Sequence, residues 1–116
     1  MTDDTIRDRL LEERSEAETR AAALEKEISS IVASMSFGAT DDEHDPEGAT
    51  IAFEREQAMA LLAGARAEIE SLDRALVRMA DGTYGRCEVC GGTIAPARLA
   101  ARPAATRCIA CASRRG

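Results

Sequence analysis

The sequence predicts a mainly α fold, a long antiparallel two-helix coiled-coil hairpin with a small four-cysteine lobe at its base. Three observations predict it. All four cysteines fall in two C-x-x-C units, Cys87-Glu88-Val89-Cys90 and Cys108-Ile109-Ala110-Cys111, separated by seventeen residues. Two long stretches upstream are dense in Ala, Glu, Arg and Leu, and their apolar residues recur at three- and four-residue steps. Those two apolar seams also match each other when the chain is folded back on itself.

The first helix is expected from about Thr5 to Ser36, a stretch with no Gly or Pro. Thr2 or Asp3 suits its N-cap, and Asp3, Asp4 and Asp8 complement the positive end of its dipole. Its seam runs Ile6, Leu10, Ala17, Ala21, Leu24, Ile28, Ile31 and Met35, with a break near Glu13 and Arg14. Gly38 is a natural C′ stop. The loop that follows is acidic, with Asp41, Asp42, Glu43, Asp45 and Glu47 around His44. Asp45-Pro46 reads as an N-cap followed by a proline at the first helical position.

The second helix is therefore expected from Pro46 to about Ala80, with a seam of Ile51, Ala58, Leu62, Ala65, Ile69, Leu72, Leu76 and Met79, interrupted by Arg55. Facing residues in an antiparallel hairpin have numbers with a constant sum. Met35 with Ile51, Ile28 with Ala58, Leu24 with Leu62, Ala21 with Ala65, Ala17 with Ile69 and Leu10 with Leu76 all give 86. Large side chains often face small ones, as close interdigitation requires. Each helix is about 45–50 Å long at the helical rise. The expected division is 1–81 for the hairpin, with its tip loop at about 38–48, and 82–116 for the lobe.

In the lobe, the separation of the C-x-x-C units falls within the range at which four thiolates close a tetrahedral zinc site. Gly91 and Gly92 follow the first knuckle, where the backbone bends tightly. With four protein ligands and no vacant position, the expected role of one zinc ion is structural. Disulfides suit secreted chains, and the acidic start Met1-Thr2-Asp3-Asp4 is unlike a signal peptide. A redox C-x-x-C leaves the second pair unexplained. Thr93 to Pro96 reads as a short extended segment, and Cys108 to Arg115 as a final short helix. Besides the cysteines, Ile94, Leu99 and Ile109 are expected to fill this lobe, so it depends on the ion.

Composition narrows the function classes. The chain has 116 residues, a net charge of −6 and 45% hydrophobic residues, but its only aromatics are Phe37, Phe53 and Tyr84. Residues 1–85 carry a net −11, and residues 86–116, with six arginines and Glu88, a net +5. Such an acidic arm is poor equipment for gripping DNA phosphates, so direct sequence-specific DNA binding is not expected. No apolar run approaches the ~18 residues of a membrane span, and a cytoplasmic location is expected. No Ser–His–Asp set, phosphate-binding glycine loop or paired catalytic carboxylates are visible, and an enzyme is not expected.

The stretch Asp81-Gly82-Thr83-Tyr84-Gly85-Arg86-Cys87-Glu88-Val89-Cys90-Gly91, followed by Ile94, Arg98-Leu99, Ala101-Arg102-Pro103, Ala105-Thr106 and Cys108-Ile109-x-Cys111, resembles the DksA/TraR-type C4 zinc finger. The detailed resemblance covers about 30 residues, and the hairpin extends it architecturally. It implies zinc on Cys87, Cys90, Cys108 and Cys111. It also implies a transcription regulator that binds bacterial RNA polymerase and inserts its coiled coil into the secondary channel, with acidic tip residues approaching the catalytic centre. Members often act together with the alarmone ppGpp, but the residues of that site do not carry over to this chain.

The tip departs from the family pattern D-x-x-D-x-A: aligned on Asp45-Pro46, this chain has Asp45, Gly48 and Thr50. Asp41, Asp42, Glu43, Asp45 and Glu47 are the candidate polymerase contacts, with Asp45 equally suited to capping the helix. His44 reads either as a solvated loop residue or as a partner of the neighbouring acids in a metal site. Arginines 98, 102, 107, 114 and 115 either touch the partner or offset the charge of a zinc–thiolate cluster. The sequence ends five residues after Cys111, so the long C-terminal helix of larger members is not expected. Two other functions are compatible with these features: a structural adaptor for another protein, and a Gre-like cofactor whose tip acids hold a metal for transcript cleavage.

Overall fold

A computed structural model describes residues 3–37 and 46–114. The chain is mainly helical: α1 (Asp3–Phe37), α2 (Pro46–Asp81), α3 (Pro96–Ala101) and α4 (Ile109–Ser113). The two long helices pack on each other as a hairpin, as the matched seams predict. Both expected boundaries fall within one or two residues of those observed. Asp3 and Asp4 lie in the first turn of α1, and Pro46 opens α2. The α2 terminus is a Schellman motif. Gly82 has φ 81°, and the Thr83 N–H donates to the Arg78 carbonyl at 2.9 Å. Asp81, the last residue of α2, secures it, its Oδ1 accepting from the Thr83 N–H at 3.0 Å and from Thr83 Oγ1 at 2.5 Å.

The chain forms two compact units. One comprises residues 16–67, the inner parts of both long helices. Its buried residues, Ala17, Ala21, Ala58, Leu62 and Ala65, are all seam positions. Four of the five are alanines, so backbones approach closely and little apolar area is removed from water. The predicted Met35–Ile51 layer does not close: Met35 is exposed and Ile51 only half-buried. Arg55, the break in the seam, has a solvent-shielded Nε with no hydrogen-bond partner among the described residues.

The other unit joins residues 1–15 and 68–116, so the ends of both long helices share it with the cysteine lobe. Leu10, Leu72 and Ala75 are its fully buried centre, flanked by Ile6, Leu76, Met79, Tyr84 and Ala104. Leu76, the register partner of Leu10, packs against the cluster that contains Leu10. Ala75, one step aside from the predicted seam, is buried as well, because positions three and four apart on a helix share a face. Where the α1 seam breaks, Arg14 turns to Asp73, with Nε–Oδ1 at 2.5 Å and Nη2–Oδ2 at 3.4 Å. The polar break is an ion pair between the two helices.

Two expectations for the lobe are corrected. Thr93 pairs with Arg86 in a single antiparallel bridge, and Pro96 opens α3 instead of ending an extended segment, since its fixed φ suits a first helical position. Ile94 is buried and Leu99 half-buried, but Ile109 is 68% exposed. It is the first residue of α4, where turning Cys108 and Cys111 toward the other sulfurs directs the intervening side chain outward.

Candidate metal centre

The site is assembled by two backbone knuckles. In the first, the Gly91 N–H returns to the Cys87 carbonyl at 3.0 Å with Gly91 at φ 74°, a conformation that strains any residue with a Cβ. The Cys87 N–H donates to the Gly92 carbonyl at 2.7 Å, closing the turn. In the second, Cys108 precedes α4 with extended backbone, and its carbonyl accepts the Ala112 N–H at 2.9 Å. The Glu88 N–H donates to the Thr106 carbonyl at 2.8 Å, joining the knuckles through the backbone.

These turns bring together the four sulfurs that the sequence singles out. The Sγ atoms of Cys87, Cys90, Cys108 and Cys111 all lie within 4.8 Å of one another, and none forms a disulfide. Cys90 Sγ and Cys108 Sγ are 3.8 Å apart. A tetrahedron of thiolates about 2.3 Å from a central zinc has edges of about 3.8 Å. The donor set and its spacing therefore fit one tetrahedral zinc ion with little rearrangement. Zinc bound here supplies a cross-link between the knuckles.

Local electrostatics prepare the set unevenly. The backbone N–H groups of Cys90, and then Cys108, face the Cys87 sulfur, which also receives the Val89 N–H at 3.4 Å. They bring the Cys87 thiol down to about 6. Cys111 is pushed up to about 12, chiefly by its hydrogen bonds with the Cys108 and Cys87 sulfurs. Thiols this close resist collective ionisation unless a cation compensates them. Gly92 donates its N–H to Cys90 Sγ at 3.4 Å, the corresponding contact for an exposed sulfur.

Arg9 and Arg78 fasten the lobe to the helix ends of its unit, while Tyr84 and Arg98 brace the lobe internally, and sequence reading assigned none of them this work. Tyr84 donates its hydroxyl to the Pro103 carbonyl at 2.7 Å. Arg9 reaches the Ala100 carbonyl at 2.5 Å through Nη1 while its Nε pairs with Glu13 at 2.9 Å. Arg78 Nη2 donates to the carbonyls of Thr83 and Arg86. Arg98 Nε caps the Arg107 carbonyl at 2.9 Å, and Arg107 pairs with Glu88 at 3.2 Å. The available signal was slight: a lone tyrosine beside Gly85, and arginines whose acceptors are carbonyls distant in sequence.

The acidic tip is a different matter. Asp41, Asp42, Glu43, His44 and Asp45 lie outside the described residues, as does Gly38. Glu47 lies in the first turn of α2. Among the described residues, no helix is long and apolar enough to cross a membrane.

Residues 82–115 match the family described as the prokaryotic dksA/traR C4-type zinc finger. The uncharacterized protein YteA of Bacillus subtilis is 40% identical over 65 residues, which is 56% of this chain. The RNA polymerase-binding transcription factor DksA of Caulobacter vibrioides is 55% identical over 38 residues, 33% of this chain. In both cases the match spans only 27% of the relative's own length. The solved structure of transcription factor DksA2 from Pseudomonas aeruginosa superposes with a TM-score of 0.78 at 29% identity, covering 97% of this chain and 81% of that one.

Proposed function

We propose that this chain, whose residues 82–115 match the prokaryotic dksA/traR C4-type zinc finger, is a transcription regulator that binds bacterial RNA polymerase, with one structural zinc held by Cys87, Cys90, Cys108 and Cys111. The single observation that carries this reading is the likeness to a DksA-type transcription factor over 97% of the chain, hairpin and lobe together. A match confined to the lobe would have been compatible with a zinc module on an unrelated arm.

In this reading the hairpin enters the secondary channel of polymerase, and Asp41, Asp42, Glu43, Asp45 and Glu47 are presented toward the catalytic centre. Charge supports it. The segment 1–85, with its net −11, suits a channel that holds a catalytic cation. The chain's own residues contribute position and field rather than bond-breaking chemistry. Zinc cross-links the knuckles, and Arg9 and Arg78 hold the lobe to the helix ends.

The test uses purified polymerase and the zinc-loaded chain. Direct binding, competition with other secondary-channel proteins and a crosslink from position 45 to the active-centre subunit are expected. Asp42→Ala with Asp45→Ala is expected to abolish the effect on transcription while binding persists. A double variant that binds and regulates like the wild type sinks the tip assignment, and failure of the wild type to bind polymerase sinks the whole reading.

A further inference from the structure

Two of the most exposed large apolar side chains among the described residues lie within the two knuckles of the metal centre. Val89 is 61% exposed and Ile109 is 68% exposed, each at an internal position of a C-x-x-C knuckle. Neither place requires an apolar residue. The knuckle needs its cysteines and its tight bend, and side chains exposed to this degree do not fill its interior. Elsewhere a scattered exposed aliphatic needs no explanation, but each of these two is next in sequence to a cysteine whose sulfur meets that of the other knuckle, Cys90 and Cys108 at 3.8 Å. Val89 stands between Glu88, whose N–H bonds the Thr106 carbonyl and whose carboxylate pairs with Arg107, and Cys90, whose sulfur is 3.8 Å from that of Cys108. Ile109 directly follows Cys108.

The surroundings are basic. Residues 86–116 carry six arginines and one acid. A zinc ion on four thiolates removes two charges and leaves roughly +3. Arg107 and Arg114 flank the second knuckle in sequence and are exposed. An apolar centre with a charged rim is the usual composition of a protein-binding patch. Phosphates would use the arginines but gain nothing from a valine and an isoleucine at the centre.

We propose that the two knuckle apices, Val89 and Ile109, form a second docking face, which takes an acidic segment of RNA polymerase with an apolar side chain at its middle. This deepens the polymerase reading and rests on it. The zinc centre then has two tasks, closing the lobe and holding two aliphatic side chains in fixed relation. Charge complementarity selects the occupant's sign, and the apolar pair supplies the contact that persists at high salt.

The experiment measures binding of the full-length, zinc-loaded chain to purified polymerase over a salt series, for wild type, Val89→Ser/Ile109→Ser and Arg114→Glu. Zinc content and circular dichroism are recorded for each. The expected result is at least a tenfold loss of affinity for the double variant at one zinc per chain, with a weaker and less salt-dependent complex for Arg114→Glu. Should the serine variant lose zinc, Val89→Thr/Ile109→Thr keeps the branched shape and carries the same expectation. Unchanged affinity in a zinc-loaded double variant overturns the docking face while leaving the polymerase reading intact; no binding by the wild type overturns both. A wild-type dimer dissolved by the double variant, with polymerase affinity unchanged, assigns the face to a second copy and rejects the proposal. So does binding of duplex DNA that Arg114→Glu abolishes while polymerase binding is retained.

Discussion

Cys87 and Cys111 differ in protonation before any metal arrives. With Cys87 at about 6 and Cys111 at about 12, near pH 7.5 the first is already a thiolate and the second carries its proton. Zinc binding at that pH is therefore expected to release fewer than four protons, Cys111 supplying one of them. Calorimetry in buffers of different ionisation enthalpy checks the number, and release of all four would contradict the uneven preparation of the site. Ligands must be deprotonated, so acidification is expected to expel the metal. Cys87→Ser is expected to take zinc stoichiometry from one per chain to near zero and to unfold the lobe.

Asp81 offers a second pH test at the same scale. Hydrogen bonds from the Thr83 hydroxyl, and then from its backbone N–H, hold the Asp81 carboxyl below its ordinary value of 3.8. A group with a depressed folded-state pKa stabilises the fold above its unfolded value, and loses that contribution as pH falls through the folded one. Asp81→Asn is accordingly expected to lower the thermal midpoint at neutral pH. The difference from wild type should disappear in strong acid, below 3.8. Midpoints measured from pH 7 down to pH 2 distinguish this from a loss that is independent of pH.

At the scale of the elements, the hairpin is fastened where the lobe meets it. Leu10 and Leu72 are 0% and 1% exposed, whereas residues 16–67 bury mainly alanines. Truncating Leu10 or Leu72 to Ala is expected to cost about 2–5 kcal/mol, the usual range for a buried leucine. Ala21→Gly removes only one methyl and costs about 1 kcal/mol, largely through helix propensity. Denaturant unfolding of the zinc-loaded chain gives both values. The Arg14–Asp73 pair has side chains 32% and 47% exposed. A double-mutant cycle is expected to return no more than about 1 kcal/mol, because solvent screens a pair exposed to that degree. Its main effect is on register, since it fixes one helix against the other where the apolar seam is interrupted.

At the scale of the molecule, the two compact units predict where metal removal is felt. The unit holding the cysteines also contains residues 1–15 and 68–81. Chelation is therefore expected to expose amides of the lobe and of both helix ends in hydrogen exchange, while amides of residues 16–67 keep most of their protection. Uniform loss across all helices would show instead that the chain unfolds as one body. Polymerase binding should fall in parallel with the zinc content if the lobe carries a docking face, and should persist if the hairpin alone carries recognition.

Much of this was legible in the residues. Helix composition, the Pro46 start, the constant-sum register and the C-x-x-C spacing are local or periodic signals, and a fold built from them can be read along the chain. The same signals identified the four sulfurs that the structure gathers. They did not reveal that Met35 leaves its layer open, that Pro96 starts a helix, or that Ile109 faces solvent. Nor did they reveal that Arg9 and Arg78 tie the lobe to the helix ends, and Tyr84 and Arg98 brace it internally, by donating to backbone carbonyls. Carbonyls carry no sequence signature, and whether an aliphatic residue is buried depends on which way its neighbours must turn. The sequence by itself determined the periodicity and the ligand chemistry. Only the tertiary structure decided which apolar side chains remained outside, because the cysteines flanking Val89 and Ile109 turn inward toward one another and leave those two residues on the surface.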